Sequence, residues 1–587
     1  MAPNATIVQT DRVRKVKIRP YDQVFALTQY IINDGLQTHW QRLCDADPKL
    51  ATKLSVSQPG AGSIINAALD SPRIMVEADY DEDLSGVLYT MRFKSGKFEL
   101  RIAQRNEDGE AMFDDDDRPI EEVINFNMEG WSTRVKELVS DEFKRLVLDA
   151  GQYSLNNLIA KFDTAVFMPE KSIYGKKTWD SFPKNVQAGL DFCFKNMKSS
   201  LLERLKKADI IGSALKSTRP EDSSKPAMTF EPHKIQYQTY PWVDPGAMEF
   251  KPSSGFIGNQ RLNYMLYCET TNKRDLPPIH QRSLERLGNW TDGRLEADKN
   301  SENCEFGSFH MARENFFDGY LLKHLRFLNR AMEPWTTRHH IRLRNIINIE
   351  VDWESDMAIG SRPDKTLGDP HYDFKQVTDT EWQFNSSVTL DRVEDRAGHK
   401  GWSGEGFVDT LATSRNIIKF VPGSDIIEVS GTTSVKLDFE FIDKKIIGAN
   451  KEYIKKLHFD VNWGLKLDLE AVNDGGLQIL TTFSEPQVTF HRQDLADDFG
   501  TTKALLEGIN NAITNTASLK AALAQDLSNK QGLVLPAAGT FFFKNPILSH
   551  RGDLICSIAY SNIAPEKALD PNDPTIINPN GKPRITV

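Results

Sequence analysis

Nothing in this chain of 587 residues supplies an apolar run of the ~20 residues that a membrane-spanning helix requires. Cysteine is scarce. Cys44, Cys193, Cys268, Cys304 and Cys556 are odd in number, scattered and free of any CxxC pair, so a disulfide framework and a zinc site are both disfavoured and reduced thiols are expected. Positive charge is outnumbered, with 72 Lys and Arg against 82 Asp and Glu. A net charge of −10 argues against nucleic acid, whose backbone rewards a basic surface, and weakly against adhesion to anionic membranes. The N-terminus, MAPNATIVQTDRVRKVKIRP, lacks the apolar core of a signal peptide, so the expected compartment is the cytoplasm. A GxSxG nucleophile elbow, a glycine-rich phosphate loop, alternating βαβ units and solenoid repeats are all missing.

What is there is an alternation of unusual length. From Leu457 to Ala471 the odd positions are Leu457, Phe459, Val461, Trp463, Leu465, Leu467, Leu469 and Ala471, and every even position is polar or glycine. Period two means one strand with a dry face and a wet face. At about 3.3 Å per residue it runs roughly 50 Å, against usual strands of about 3–10 residues. Asn473-Asp474-Gly475-Gly476 supplies turn residues, and Leu477, Ile479, Thr481 and Phe483 resume the alternation, which predicts a hairpin. Something as long as the strand must cover its dry face. Whether that is a helix or an apolar ligand is the functional question.

At this length the chain exceeds one ordinary core, and 26% charged with 39% hydrophobic residues is a globular composition. Apolar stripes predict long amphipathic helices over Tyr21–Cys44 and Met311–Met332, each opening one half of the chain. Val87 to Phe93 and Phe98 to Ile102 predict two strands joined by a turn at Ser95-Gly96. Helices are expected around Ser132–Asp149 and Lys184–Ala208, with a strand or loop near Leu155–Met168. Short alternating runs such as Met228-Thr229-Phe230 lie in the polar region that follows, and a domain boundary is placed near Gly258, dividing 1–257 from 258–587. The second half is richer in strands: Trp382 to Leu390, Val435 to Phe441, and closing strands at Phe541–Phe543 and Leu554–Tyr560. A helix is expected over Leu505–Leu527, and an irregular tail after Pro565. The fold class is therefore α+β, with long, highly twisted antiparallel sheets wrapped around long amphipathic helices in an elongated molecule.

Four stretches carry a resemblance. They are Gly539–Leu554 with the preceding Gly508-Ile509-Asn510-Asn511, Gly151–Leu158, Gly288-Asn289-Trp290 with Gly307–Phe317, and Leu480–Thr489. Together they resemble a group of uncharacterised fungal and bacterial proteins. That group is similar to the accessory proteins encoded beside clostridial neurotoxins, in the tubular lipid-binding (TULIP) superfamily. The resemblance implies a TULIP-like twisted sheet around a long helix, with an apolar channel for acyl chains or similar ligands. It implies no catalytic residue and no cofactor.

The candidate ligand-binding residues are Phe439, Phe441, Phe459, Val461, Trp463, Leu465, Leu467 and Leu469, on the dry faces of the two longest alternations. The bland alternative is an ordinary core packed on a helix, since any half-buried strand alternates. His339, His340, His371 and Asp373 lack a defined metal-ligand spacing, so no metal site is expected. Asp114–Asp117 lacks the glycine and terminal glutamate of a calcium loop and reads as a solvated hairpin tip. Arg551-Gly552-Asp553 reads as a turn, not as an integrin ligand.

Three functions fit. The first, and favoured, is a non-enzymatic binding or transfer protein for lipid or other apolar small molecules, with transient membrane contact left open. The second is a protein-interaction, scaffold or toxin-accessory module with a packed interior. The third is a cavity enzyme on a hydrophobic substrate, which would need polar groups along the channel that Leu457–Ala471 does not offer.

Overall fold

The computed structural model describes residues 16–49, 52, 54–76, 86–106, 108, 110–146, 153–160, 166–205, 210–217, 232–242, 260–271, 274–285, 287–291, 306–344, 350–359, 365–399, 402–445, 449–471, 477–494, 501–514, 533–534 and 541–560. Within them the protein is α+β, with few helices, and every strand pairing is antiparallel. No described helix is long and apolar enough to cross a membrane.

A six-stranded sheet gathers segments from distant parts of the chain. Its order is Pro232–Tyr240, Tyr264–Thr271, Gln23–Thr28, Gly307–Met311, Leu554–Tyr560 and Phe541–Leu548. The Gln23–Thr28 strand is buried at all six positions, between Tyr264–Thr271 on one side and Gly307–Met311 on the other. A strand dry on both faces shows an unbroken apolar run, which here merges with the helical stripe behind it. The helix expected from Tyr21 therefore begins only at Gln29 and ends at Ala46. Thr28 caps it by accepting from the Ile31 N–H at 3.5 Å. Beside the strand, the Arg274 guanidinium grips the buried Asp22 carboxylate through Nη2 at 2.5 Å and Nε at 3.0 Å. The expected boundary at Gly258 lies outside the described residues.

A second sheet runs through Leu54–Gln58, Gly62–Leu69, Gly86–Ala103, Trp131–Leu146, Tyr153–Ala160, Ile210–Ser217 and Leu533–Val534. Two expectations fail here. Ser95-Gly96 makes no turn, because Gly86–Ala103 is one strand of 18 residues. Gly96 instead takes φ +141°, and a Cβ on it would lie 2.7 Å from the Ala67 side chain, so its neighbour strand passes where a side chain would sit. The helix expected at Ser132–Asp149 is the strand Trp131–Leu146, held by Gly86–Ala103 and Tyr153–Ala160. Sheet neighbours override the helical spacing of its apolar residues. The Lys184–Leu205 helix forms close to expectation and lies on this sheet, where Phe194 stacks on Phe98 at 5.4 Å. Tyr153–Ala160 and Val166–Phe167 supply the strand expected near Leu155–Met168, and Met228–Phe230 is outside the described residues. Asp114–Asp117 is an exposed turn closed by the Phe113–Pro119 bridge, with the Asp114 Oδ1 accepting from the Arg118 N–H at 2.8 Å.

The long sheet bears on function. After the short Lys375–Thr378 it consists of Glu381–His399, Trp402–Phe420, Ile426–Lys445, Lys451–Ala471 and Leu477–Gln493, of 19, 19, 20, 21 and 17 residues, paired in chain order. Leu477–Gln493 is the edge, which tolerates Pro486, and Trp463 faces a bulge there between Ser484 and Gln487. A helical rod packs beneath the sheet. It begins as a π-helix, Glu314–Leu321, and continues as an α-helix, Leu322–Met332, so the expected start at Met311 is early by three residues, Met311 closing a strand instead. Phe317 of the rod stacks on Trp382 of the sheet at 4.7 Å. The later helix is described over Thr501–Thr514. The remainder of the Leu505–Leu527 expectation, the turn at Asn473–Gly476 and the tail after Pro565 lie outside the described residues.

Candidate functional site

The register of the long sheet arranges its inner face in rows. Strand by strand from Lys451–Ala471 towards Glu381–His399, one row is Leu465, Val429, Ile418 and Trp382. The next is Trp463, Gly431, Asn416 and Phe384; then Val461, Thr433, Ser414 and Ser386; then Phe459, Val435, Ala412 and Val388. Leu467 continues the face past the first row beside Ile427 and Phe420. Rows are about 6–7 Å apart along the strands and strands about 4.8 Å apart.

All eight sequence-derived candidates are buried, none more than 4% exposed. Phe439, Phe459, Val461, Trp463, Leu465, Leu467 and Leu469 join one hydrophobic cluster with Phe316, Leu325 and Leu328 of the helical rod. Phe441 stands apart from that cluster, stacking at 6.1 Å on the half-exposed Tyr453.

The middle of this face is not apolar, which the single strand Leu457–Ala471 gave no reason to expect. Ser386, Ser414, Asn416 and Thr433 are buried in two adjacent rows, with Gly431 among them. The Trp463 indole fills the place of the missing Gly431 side chain: a Cβ there would lie 2.2–2.3 Å from Cε2, Cζ2 and Nε1. Below, Asn329 on the helix donates through Nδ2 to the Tyr372 carbonyl at 2.9 Å, which leaves its Oδ1 to accept from Asn416 Nδ2 at 2.8 Å. Where the same helix ends, the fully buried Glu333 carboxyl accepts from Ser386 Oγ at 2.5 Å and meets His371 Nε2 at 2.7 Å through one oxygen. Four buried polar atoms in these rows have no hydrogen-bond partner among the described residues: Ser414 Oγ, Asn416 Oδ1, Thr433 Oγ1 and Trp463 Nε1. The strand Trp402–Phe420 carried the signal in its sequence. Its inward positions run Val408, Thr410, Ala412, Ser414, Asn416, Ile418, Phe420, polar in the centre and apolar at both ends.

A concavity of about 290 Å³ elsewhere is lined by Lys17, Ile18, Arg19, Arg313, Glu314, Asp379, His550, Arg551 and Asp553. Two of its arginines are paired: Arg19 Nη2 lies 2.5 Å from Glu314, and Arg313 Nε lies 3.5 Å from Asp318. Asp553 is turned inward, accepting from the Arg313 N–H at 2.9 Å and from Ser549 Oγ at 3.2 Å. Burial pushes its carboxyl above the usual aspartate range. The Arg551-Gly552-Asp553 segment is therefore a structural turn, and Gly552 adopts φ +86° there. His371 and Asp373 serve separate partners, Glu333 and Arg326, and the His339 and His340 side chains lie outside the described ones. Among the described residues no three His, Cys, Asp or Glu side chains converge as metal ligands. Cys44, Cys193 and Cys268 are free thiols, and burial raises Cys193 to about 11.

No family model and no curated protein matches the chain. Among solved structures, that of lipopolysaccharide binding protein matches with 10% identity and a TM-score of 0.29, covering 92% of this chain and all of that one.

Proposed function

We propose that the protein binds, and carries or transfers, lipid or other apolar small molecules in a channel between the long sheet and the helices packed on it. The observation that supports this is a mismatch of lengths. Lys451–Ala471 has 21 residues and spans about 69 Å at ~3.3 Å per residue. The rod Glu314–Met332, of 8 and 11 residues, spans about 28 Å, and the 14-residue helix Thr501–Thr514 about 21 Å. The helices back only part of the inner face, the Pro334–Arg344 and Glu350–Ile359 hairpin and the Phe541–Leu548 strand also pack against the sheet, and an acyl chain would lie between these covers and the sheet. Binding would be driven by burial of apolar surface, at ~0.8 kcal/mol per methylene, with loose selectivity for chain length.

On this reading Phe439, Phe441, Phe459, Val461, Trp463, Leu465, Leu467 and Leu469 line the channel, the sheet curls around the rod, and the halves 1–257 and 258–587 are joined through the six-stranded sheet to which both contribute strands. No step of bond chemistry is assigned to the protein. Uptake of a fluorescent fatty acid by wild type and Leu465→Trp tests the reading. Wild type should saturate, and the folded variant, with an indole filling the channel, should show background uptake. Equal uptake by the two proteins removes Leu465 from the site, and uptake by neither favours a packed interior and an interaction module.

A further inference from the structure

We infer that the polar rows at the centre of the inner face form a subsite for a neutral hydroxyl group on an otherwise apolar ligand. The inference rests on the carrier reading above and specifies its ligand. Interiors leave few polar groups unsatisfied, because a buried group loses its water and regains nothing. Here four such atoms lie within two rows of three adjacent strands: Ser414 Oγ, Asn416 Oδ1, Thr433 Oγ1 and Trp463 Nε1. Their residues are at most 4% exposed.

Their roles are fixed by chemistry. The indole Nε1–H can only donate, and Asn416 Oδ1 can only accept, since its Nδ2 is held by Asn329. Trp463 and Asn416 sit in one row on either side of Gly431, roughly 9–10 Å apart by strand spacing, and the indole leans across the glycine. The two atoms do not bond each other. A hydroxyl placed between them accepts from one and donates to the other. Ser414 and Thr433, able to do either, stand in the neighbouring row. A carboxylate or phosphate suits this place poorly. It could not satisfy Asn416, and it would come to lie near the Glu333 carboxyl, which holds Ser386 in the row of Ser414. The predicted ligand class is thus a long-chain alcohol, sterol-like alcohol or partial acylglycerol, bound with its hydroxyl buried.

The test is competitive loading. The full-length protein is incubated with equimolar dodecan-1-ol and dodecane, passed through gel filtration, extracted and quantified. The Asn416→Leu variant removes the acceptor that the hydroxyl donates to, with little change of shape, and Trp463→Phe, which removes the donor, serves if Asn416→Leu fails to fold. The alcohol-to-alkane ratio should fall about fivefold or more in the variant, with alkane loading unchanged, which is the loss of one or two neutral hydrogen bonds. An unchanged ratio in a folded variant overturns the subsite, its polar atoms then holding water only. Retention of neither compound by wild type overturns the carrier reading, and the subsite falls with it.

Discussion

At the scale of single residues, Gly431 is required by its neighbour. The Trp463 ring occupies the volume that any β-carbon would need. Gly431→Ala should destabilise the protein by about 1–3 kcal/mol, the usual range for overpacking. In a Trp463→Phe background the same alanine should be better tolerated, and a double-mutant cycle by urea denaturation reads the difference. Equal losses in both backgrounds would mean that the glycine serves the strand and not the indole. On the outer face, burial would raise the Asp438 carboxyl, but hydrogen bonds from His458 Nε2 at 2.6 Å and Lys456 Nζ at 3.1 Å outweigh it and hold Asp438 below the usual range. A lowered carboxyl contributes stability above its unfolded value and loses it as pH falls through the folded one. Asp438→Asn should therefore flatten the stability profile below about pH 4, where unperturbed aspartates titrate. Asp553 has the opposite sign. Raised by burial, it favours the native state more as pH falls from its folded value towards the ordinary one.

At the scale of elements, the helical rod is the test of packing. Leu325 is fully buried among sheet residues, and Leu325→Ala should cost about 2–5 kcal/mol in chemical denaturation. A loss below about 1 kcal/mol would mean that the rod is loosely held. The same elements show what a sequence reading can reach. Lys451–Ala471 and its hairpin partner were legible because one face is wet and the other dry. Gln23–Thr28 was not, since burial on both faces erases alternation and leaves a run that any period fits. Trp131–Leu146 carries a helical spacing that long-range pairing overrides. Gly96 looked like punctuation, whereas its reason is the close passage of Ala67, a fact of tertiary structure. The eight apolar candidates were found on alternation alone. Ser414, Asn416, Gly431 and Thr433 were missed because they acquire meaning only when the register sets three strands side by side.

For the molecule as a whole, function turns on whether the long sheet and the elements packed on it part to hold a ligand. The inner-face side chains are buried by the chain's own atoms, so a ligand enters only where the elements that cover them move aside. The polar rows shift the question from whether something is bound to what its polar group must be. The most direct measurement is organic extraction and mass spectrometry of the purified full-length protein beside a matched control protein. The account predicts a co-purifying apolar compound near one per chain, absent from the control and carrying a free hydroxyl. An extract indistinguishable from the control, from protein that also takes up neither fatty acid nor long-chain alcohol, would contradict it.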